Sequence, residues 1–128
     1  MDKELICIDT SVLIDYFRKK DKSKSLLVEL SRKYNFSISV IAKLEILVGI
    51  RPETENFWTG IFSRMTILPL NELEVEKASQ IIRSLKKQNK IVDIQDILIA
   101  ATAIVHNVRL STTNKKHFER ISELTMVE

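Results

Sequence analysis

ELICIDTSVLIDYF, residues 4–17, decides how the chain is read. ELICI at 4–8 is a short apolar run, closed by Asp9-Thr10-Ser11, after which VLIDYF opens. This order suits a buried strand running into a helix, with Thr10 or Ser11 as the N-cap. Working outward, KSKSLLVELSRK at 22–33 reads as a second helix with Leu26, Leu27 and Leu30 on one face. FSISV at 36–40 is a strand, IAKLEILVGI at 41–50 a helix, and 53–64 another helix before a short strand in TILPL at 66–70. NELEVEKASQIIRSLKKQN at 71–89 is the clearest amphipathic helix, with Ala78, Ile81, Ile82 and Leu85 in register. IQDILIAATAIVHN at 94–107 reads as a buried helix and RLSTT as a strand; Asn114 opens a last short helix, and LTMVE offers an edge strand. Strands alternating with helices imply an α/β fold with a mainly parallel central sheet. Ligands of such sheets gather at the carboxyl ends of the strands, where Asp9 and Thr112 fall.

A length of 128 residues suits one domain, expected over 1–128, and no repeat or linker interrupts it. With 45% hydrophobic and 29% charged residues, the chain can bury a core, which argues against disorder. Apolar stretches such as ILIAATAIV at 97–105 fall far short of the roughly 20 residues of a membrane span. MDKELICID lacks the layout of a signal peptide. The single cysteine, Cys7, excludes an internal disulfide and reads as an inert core thiol. A cytoplasmic location is the expectation. The net charge of +3 invites a polyanionic partner without specifying one.

Three acids stand where acids are costly. Asp9 ends an apolar strand, Glu45 is embedded in LEILVGI, and Asp96 directly precedes ILIAATAIV. Asp93, Asp96, Ala100, Ala103 and Asn107 share a small or polar stripe of their helix, which reads as room left beside the carboxylates. Singly, each acid has an ordinary explanation: Asp9 as a helix cap, Glu45 as an ion-pair partner, Asp93 and Asp96 as helix-start acids. Asp93 fits that last role best. Together, the three hard oxygen donors suit Mg²⁺ or Mn²⁺. Zinc would require cysteine and histidine at ligand spacing, and nucleotide-binding loops and a serine-nucleophile elbow are both missing from the sequence. His106 and His117 read as helix-end or surface histidines.

ICIDTSVLIDYF, the acid in AKLEILVGI, the segment DILIAATAIVHNVRLSTTN and the following HFERI resemble, in order and spacing, the VapC-type toxins of the PIN-domain family. The resemblance covers essentially the whole length. It implies a doubly wound α/β/α sandwich with an acidic cluster binding Mg²⁺ or Mn²⁺, to which Asp9, Glu45 and Asp96 correspond. The fourth family acid falls on Asn114, which leaves a neutral corner. Thr10 and Thr112 match hydroxyl positions of the family's pocket. The activity implied is endoribonuclease cleavage leaving 5′-phosphate and 3′-hydroxyl ends, with transfer RNA the leading substrate class. A small VapB-type antitoxin and a homodimer are the implied partners.

An acidic pocket repels phosphate, so the grip on RNA must come from basic clusters. Arg18-Lys19-Lys20 with Lys22 and Lys24, Lys86-Lys87 with Lys90, and Lys115-Lys116 with Arg120 are the candidates. The last lies nearest the pocket in sequence and is preferred. The alternatives are a catalytically silent PIN-like RNA- or protein-binding module, to which Asn114 would point, and a nuclease acting on DNA.

Overall fold

In the computed structural model, which describes residues 2–127, four parallel strands form one sheet in the order β3-β2-β1-β4. They are β1 (Glu4–Ile8), β2 (Tyr34–Ser39), β3 (Thr66–Leu68) and β4 (Leu110–Ser111). Seven α-helices flank the sheet: α1 (Thr10–Arg18), α2 (Leu26–Ser31), α3 (Val40–Val48), α4 (Glu55–Ser63), α5 (Glu72–Lys87), α6 (Ile94–Val105) and α7 (Lys115–Phe118). The alternating pattern therefore yields the expected α/β architecture. Ile6, Cys7 and Ile8 are fully buried because β1 is central, with β2 on one side and β4 on the other. Burial pushes the Cys7 thiol up to about 12, so it stays protonated and unreactive.

The chain moves outward from β1 through β2 to β3, then returns to place β4 on the opposite side of β1. The crossovers thus diverge at the carboxyl ends of β1 and β4, and a crevice opens there. Asp9 follows β1 and Thr112 follows β4 directly.

Local chemistry adjusts several expected boundaries. The N-cap position of α1 is Asp9, not Thr10 or Ser11, and Thr10 is already helical. The helix expected over 22–33 is broken: a 3₁₀ turn at Lys22–Lys24 precedes α2, whose N-cap Ser25 accepts from Val28 N–H at 3.3 Å. Asp15 of α1 accepts the next free N–H, from Leu26. Pro52 likewise starts a separate 3₁₀ turn ahead of α4. Ser39 caps α3 by accepting from Ala42 N–H at 3.0 Å, which fixes the helix carrying Glu45. Near the other end, the expected edge strand is one parallel bridge, Leu110 to Met126, with Val127 N–H donating to Leu110. The Glu128 end of that segment lies outside the described residues.

The small residues of the α6 stripe serve packing, not the cleft. Ala100 and Ala103 are fully buried, so small residues there allow close packing rather than leave space beside the carboxylates. The helix expected to be buried over 94–107 is open at its start, where Ile94 is 52% exposed.

Candidate active site

Asp9, Thr10, Glu45, Asp93, Asp96 and Asn114 line one open cleft of about 770 Å³ at the diverging ends of β1 and β4. Four separate segments supply them: the β1–α1 junction, the middle of α3, the start of α6 and the cap of α7. Asp9 is only 5% exposed. Its side chain bonds no helical N–H, so capping does not explain its presence. Instead, Oδ2 accepts from Thr112 Oγ1 at 2.8 Å and Ser11 Oγ at 2.9 Å. Thr112 also accepts from Asn114 N–H at 2.9 Å, and Ser11 from Thr113 N–H at 3.0 Å. These hydroxyls lock one carboxylate oxygen, while among the described residues none donates to Oδ1.

Glu45 Oε1 accepts from Thr10 Oγ1 at 3.1 Å, linking α3 to the first turn of α1. Burial raises the Glu45 carboxyl above its ordinary value; the Thr10 hydroxyl opposes this, and the charges of Asp9, Asp96 and Asp93 reinforce it. Asp96 is raised in the same direction, first by burial, then by Asp9 and Asp93 against the opposing influence of His117. The acids repel one another, and that repulsion costs the fold stability.

A carboxyl whose pKa rises on folding holds its proton more tightly in the native state. Its charge therefore weakens the fold as pH rises through the window above its ordinary value, and this penalty is absent at acid pH where it is protonated. Glu45→Gln keeps an acceptor for Thr10 and removes one charge. We expect it to melt higher than the wild type at neutral pH without added metal, with the gain vanishing toward acid pH. Thermal melts across that range check this; a gain independent of pH would contradict the electrostatic cause.

His117 was expected at the surface, and it is 59% exposed, yet its Nδ1 lies 3.2 Å from Asp96 Oδ2. Sequence reading missed this pairing, because 21 positions separate the two residues and only the packing of α7 beside α6 joins them. Asp93 is exposed and occupies the N-cap position of α6 without a side-chain cap bond. Among the basic residues, Arg18 and Lys19 line the acidic cleft itself. Lys116 and Arg120 line an adjoining one shared with Asp93, Asp96 and His117, whereas Lys115 lines neither. The preferred cluster is thus split, and the α1 cluster lies nearer than its sequence distance suggests.

Among the described residues no group of three or more His, Cys, Asp or Glu side chains stands close enough together to hold a metal ion by itself, so any cation here would keep much of its water. The donor set is hard, anionic and open to solvent. That fits Mg²⁺ or Mn²⁺, which bind through one or two carboxylates and keep several waters, and does not fit zinc.

The PIN-domain profile matches residues 6–124, and the chain belongs to that family. Its homologues are VapC ribonucleases, hydrolases of RNA phosphodiester bonds. Ribonuclease VapC1 of Methanocaldococcus jannaschii is 39% identical over 123 residues, covering 95% of this chain and 85% of the relative. Ribonuclease VapC1 of Rickettsia felis is 37% identical over 130 residues, covering 95% and 94%. Among solved structures, VapBC2 from Rickettsia felis bound to a promoter DNA fragment matches with a TM-score of 0.79 at 25% identity, covering 96% of this chain and 97% of the other. DNA-bound VapBC from Salmonella typhimurium superposes with a TM-score of 0.85 at 22% identity, covering 98% and 97%, a likeness of fold.

Proposed function

We propose that this chain is an Mg²⁺-dependent endoribonuclease toxin, a single PIN-like domain that hydrolyses RNA phosphodiester bonds, with transfer RNA as its substrate class. The observation that carries this reading is the convergence of Asp9, Glu45 and Asp96 on one cleft, with Asp93 beside them. Asp9 Oδ1 and the Asp96 carboxylate are the proposed metal ligands, and Glu45 joins them as ligand or base. Mn²⁺ suits the same donors. When bound, the cation supplies charge neutralisation of the phosphate and acidification of water. Thr112 and Ser11 orient Asp9 through Oδ2, and His117 steadies Asp96. Glu45, whose affinity for protons is already raised, accepts the proton of the attacking water. Asn114 occupies the N-cap position of α7 at the rim and offers a neutral carbonyl as a further oxygen donor.

Cation binding should relieve the repulsion among the acids. Millimolar Mg²⁺ is expected to raise the melting temperature of the wild type by mass action, and to leave an Asp9→Asn, Asp96→Asn double variant unmoved. An equal rise in both proteins would place the ion elsewhere. Cleavage of transfer RNA by the purified protein, run beside single-stranded DNA, tests the substrate class; preferential cutting of DNA would overturn it.

A cytoplasmic VapB-type antitoxin is the proposed partner, supported by the likeness to VapBC assemblies. No helix among the described residues is long and apolar enough to cross a membrane. We also propose a homodimer. Leu44, Leu47 and Val48 form an exposed apolar stripe on α3, with Val48 79% exposed. Leu47→Lys together with Val48→Lys should turn the dimer into a monomer in sedimentation without loss of helicity. A monomeric wild type would refute this assembly.

A further inference from the structure

A second groove of about 470 Å³ runs from the acidic cleft between α1, α3 and the start of α4. It shares Thr10, Ile14, Arg18 and Glu45 with the cleft, so the two are continuous. Its floor is apolar, from Ile14, Ile46, Phe17 and Trp58. Phe17 is 38% exposed, and its ring is backed by Trp58, with centroids 5.3 Å apart at 28°, and by the edge of Phe57 at 5.4 Å. Lys22 braces the end of α1, donating to the carbonyls of Tyr16 and Phe17 at 2.9 and 3.0 Å, so this aromatic surface is held rigid. Arg18 and Arg51 also line the groove. Among the described residues neither guanidinium is in a salt bridge, and Glu53 at the same rim pairs with neither.

We propose that this groove is a nucleotide subsite. The strand being cut leaves the carboxylates along α1, packs a base against the exposed part of Phe17, and sets its phosphates against Arg18 and Arg51. The proposal rests on the ribonuclease reading of the neighbouring cleft. Three features of the groove select this occupant: continuity with the acids that would hold the scissile phosphate, a preformed aromatic platform, and two free planar cations where phosphates would pass. Aromatic platforms accept any base, since every base has a π-face, and guanidinium forks match phosphate oxygens. Arg18, which lines both spaces, marks where the polarity of the surface changes from acid to base.

The probe is a short labelled oligouridylate, bound to the Asp9→Asn protein in Mg²⁺ and followed by fluorescence anisotropy across a salt series. Arg18→Gln and Arg51→Gln should each weaken binding and lower the slope of log affinity against log salt by about 0.7. Phe17→Leu should weaken binding about tenfold while leaving the salt slope unchanged. In proteins that keep Asp9, the same substitutions should raise KM for RNA and spare kcat. Thermal melts accompany Phe17→Leu, and the two arginine variants keep the test open should that core-edge change unfold the chain. If wild-type protein cuts RNA but Arg18→Gln and Arg51→Gln leave KM and salt slope untouched, the subsite is refuted while the nuclease reading stands. If these variants lose only a peptide partner and bind RNA normally, the groove is a protein-docking surface and the subsite is equally refuted. If the wild type cuts no RNA with Mg²⁺, the underlying reading fails instead.

Discussion

Asp9→Asn should abolish RNA hydrolysis, lowering the rate on the order of 10³-fold or more, while the protein remains folded. The asparagine retains an acceptor for Thr112 and Ser11, so the hydroxyl network tying β1 to β4 survives. What disappears is the formal negative charge at the centre of the cleft, and with it one anionic donor for the cation. Removing a charge repelled by Glu45 and Asp96 should also leave the metal-free protein no less stable. Initial rates on RNA, with circular dichroism on the same samples, check both halves. Full activity in a folded Asp9→Asn protein would remove this carboxylate from the reaction.

Phe118→Ala should produce the largest loss of stability. Phe118 is fully buried, and it is the one core side chain that α7 contributes. A helix of four residues cannot hold itself in place, so its position depends on this anchor. Truncation should cost about 3–5 kcal/mol through lost transfer energy and a residual cavity. For a chain of this size that corresponds to a fall in melting temperature of roughly 10 °C or more. The same change frees His117 beside Asp96 and Asn114 at the rim, so kcat should fall further than the folded fraction explains. Denaturant titration and activity at saturating RNA separate the two effects. A variant with full kcat per folded molecule would show that the cleft does not depend on α7.

Much of this was legible in the residues because the site sits on strongly patterned elements. The apolar run before Asp9 marks a central strand, and a charged residue at its end needs a partner; the structure supplies two hydroxyls. Glu45 stands out among the apolar residues of α3 for the same reason. Properties that depend on contacts between distant segments were not legible. His117 meets Asp96 only through the docking of α7, and Arg18 reaches the cleft because α1 runs along its wall. Nothing in the amphipathic pattern of residues 71–89 sets Glu74 apart from the other acids there, yet it is only 3% exposed. Its side chain instead accepts from Asn71 N–H at 3.0 Å and lies 3.8 Å from His106 Nε2. In the stripe of Ala100 and Ala103, small residues make space and close packing look alike in a sequence; burial distinguishes them. The break at Ser25 escaped periodicity because a single hydroxyl can restart a helix in another direction.

The central claim is metal-dependent hydrolysis at the cleft of Asp9, Glu45 and Asp96. Its most direct test is to incubate purified protein, free of any antitoxin, with transfer RNA in Mg²⁺ and in EDTA, and to determine the chemistry of the new ends. Cleavage in Mg²⁺ that stops in EDTA and leaves 5′-phosphate termini is the predicted result. Cleavage that continues in EDTA and leaves 2′,3′-cyclic phosphates would mean that the RNA's own hydroxyl attacks without a metal, and would contradict the account.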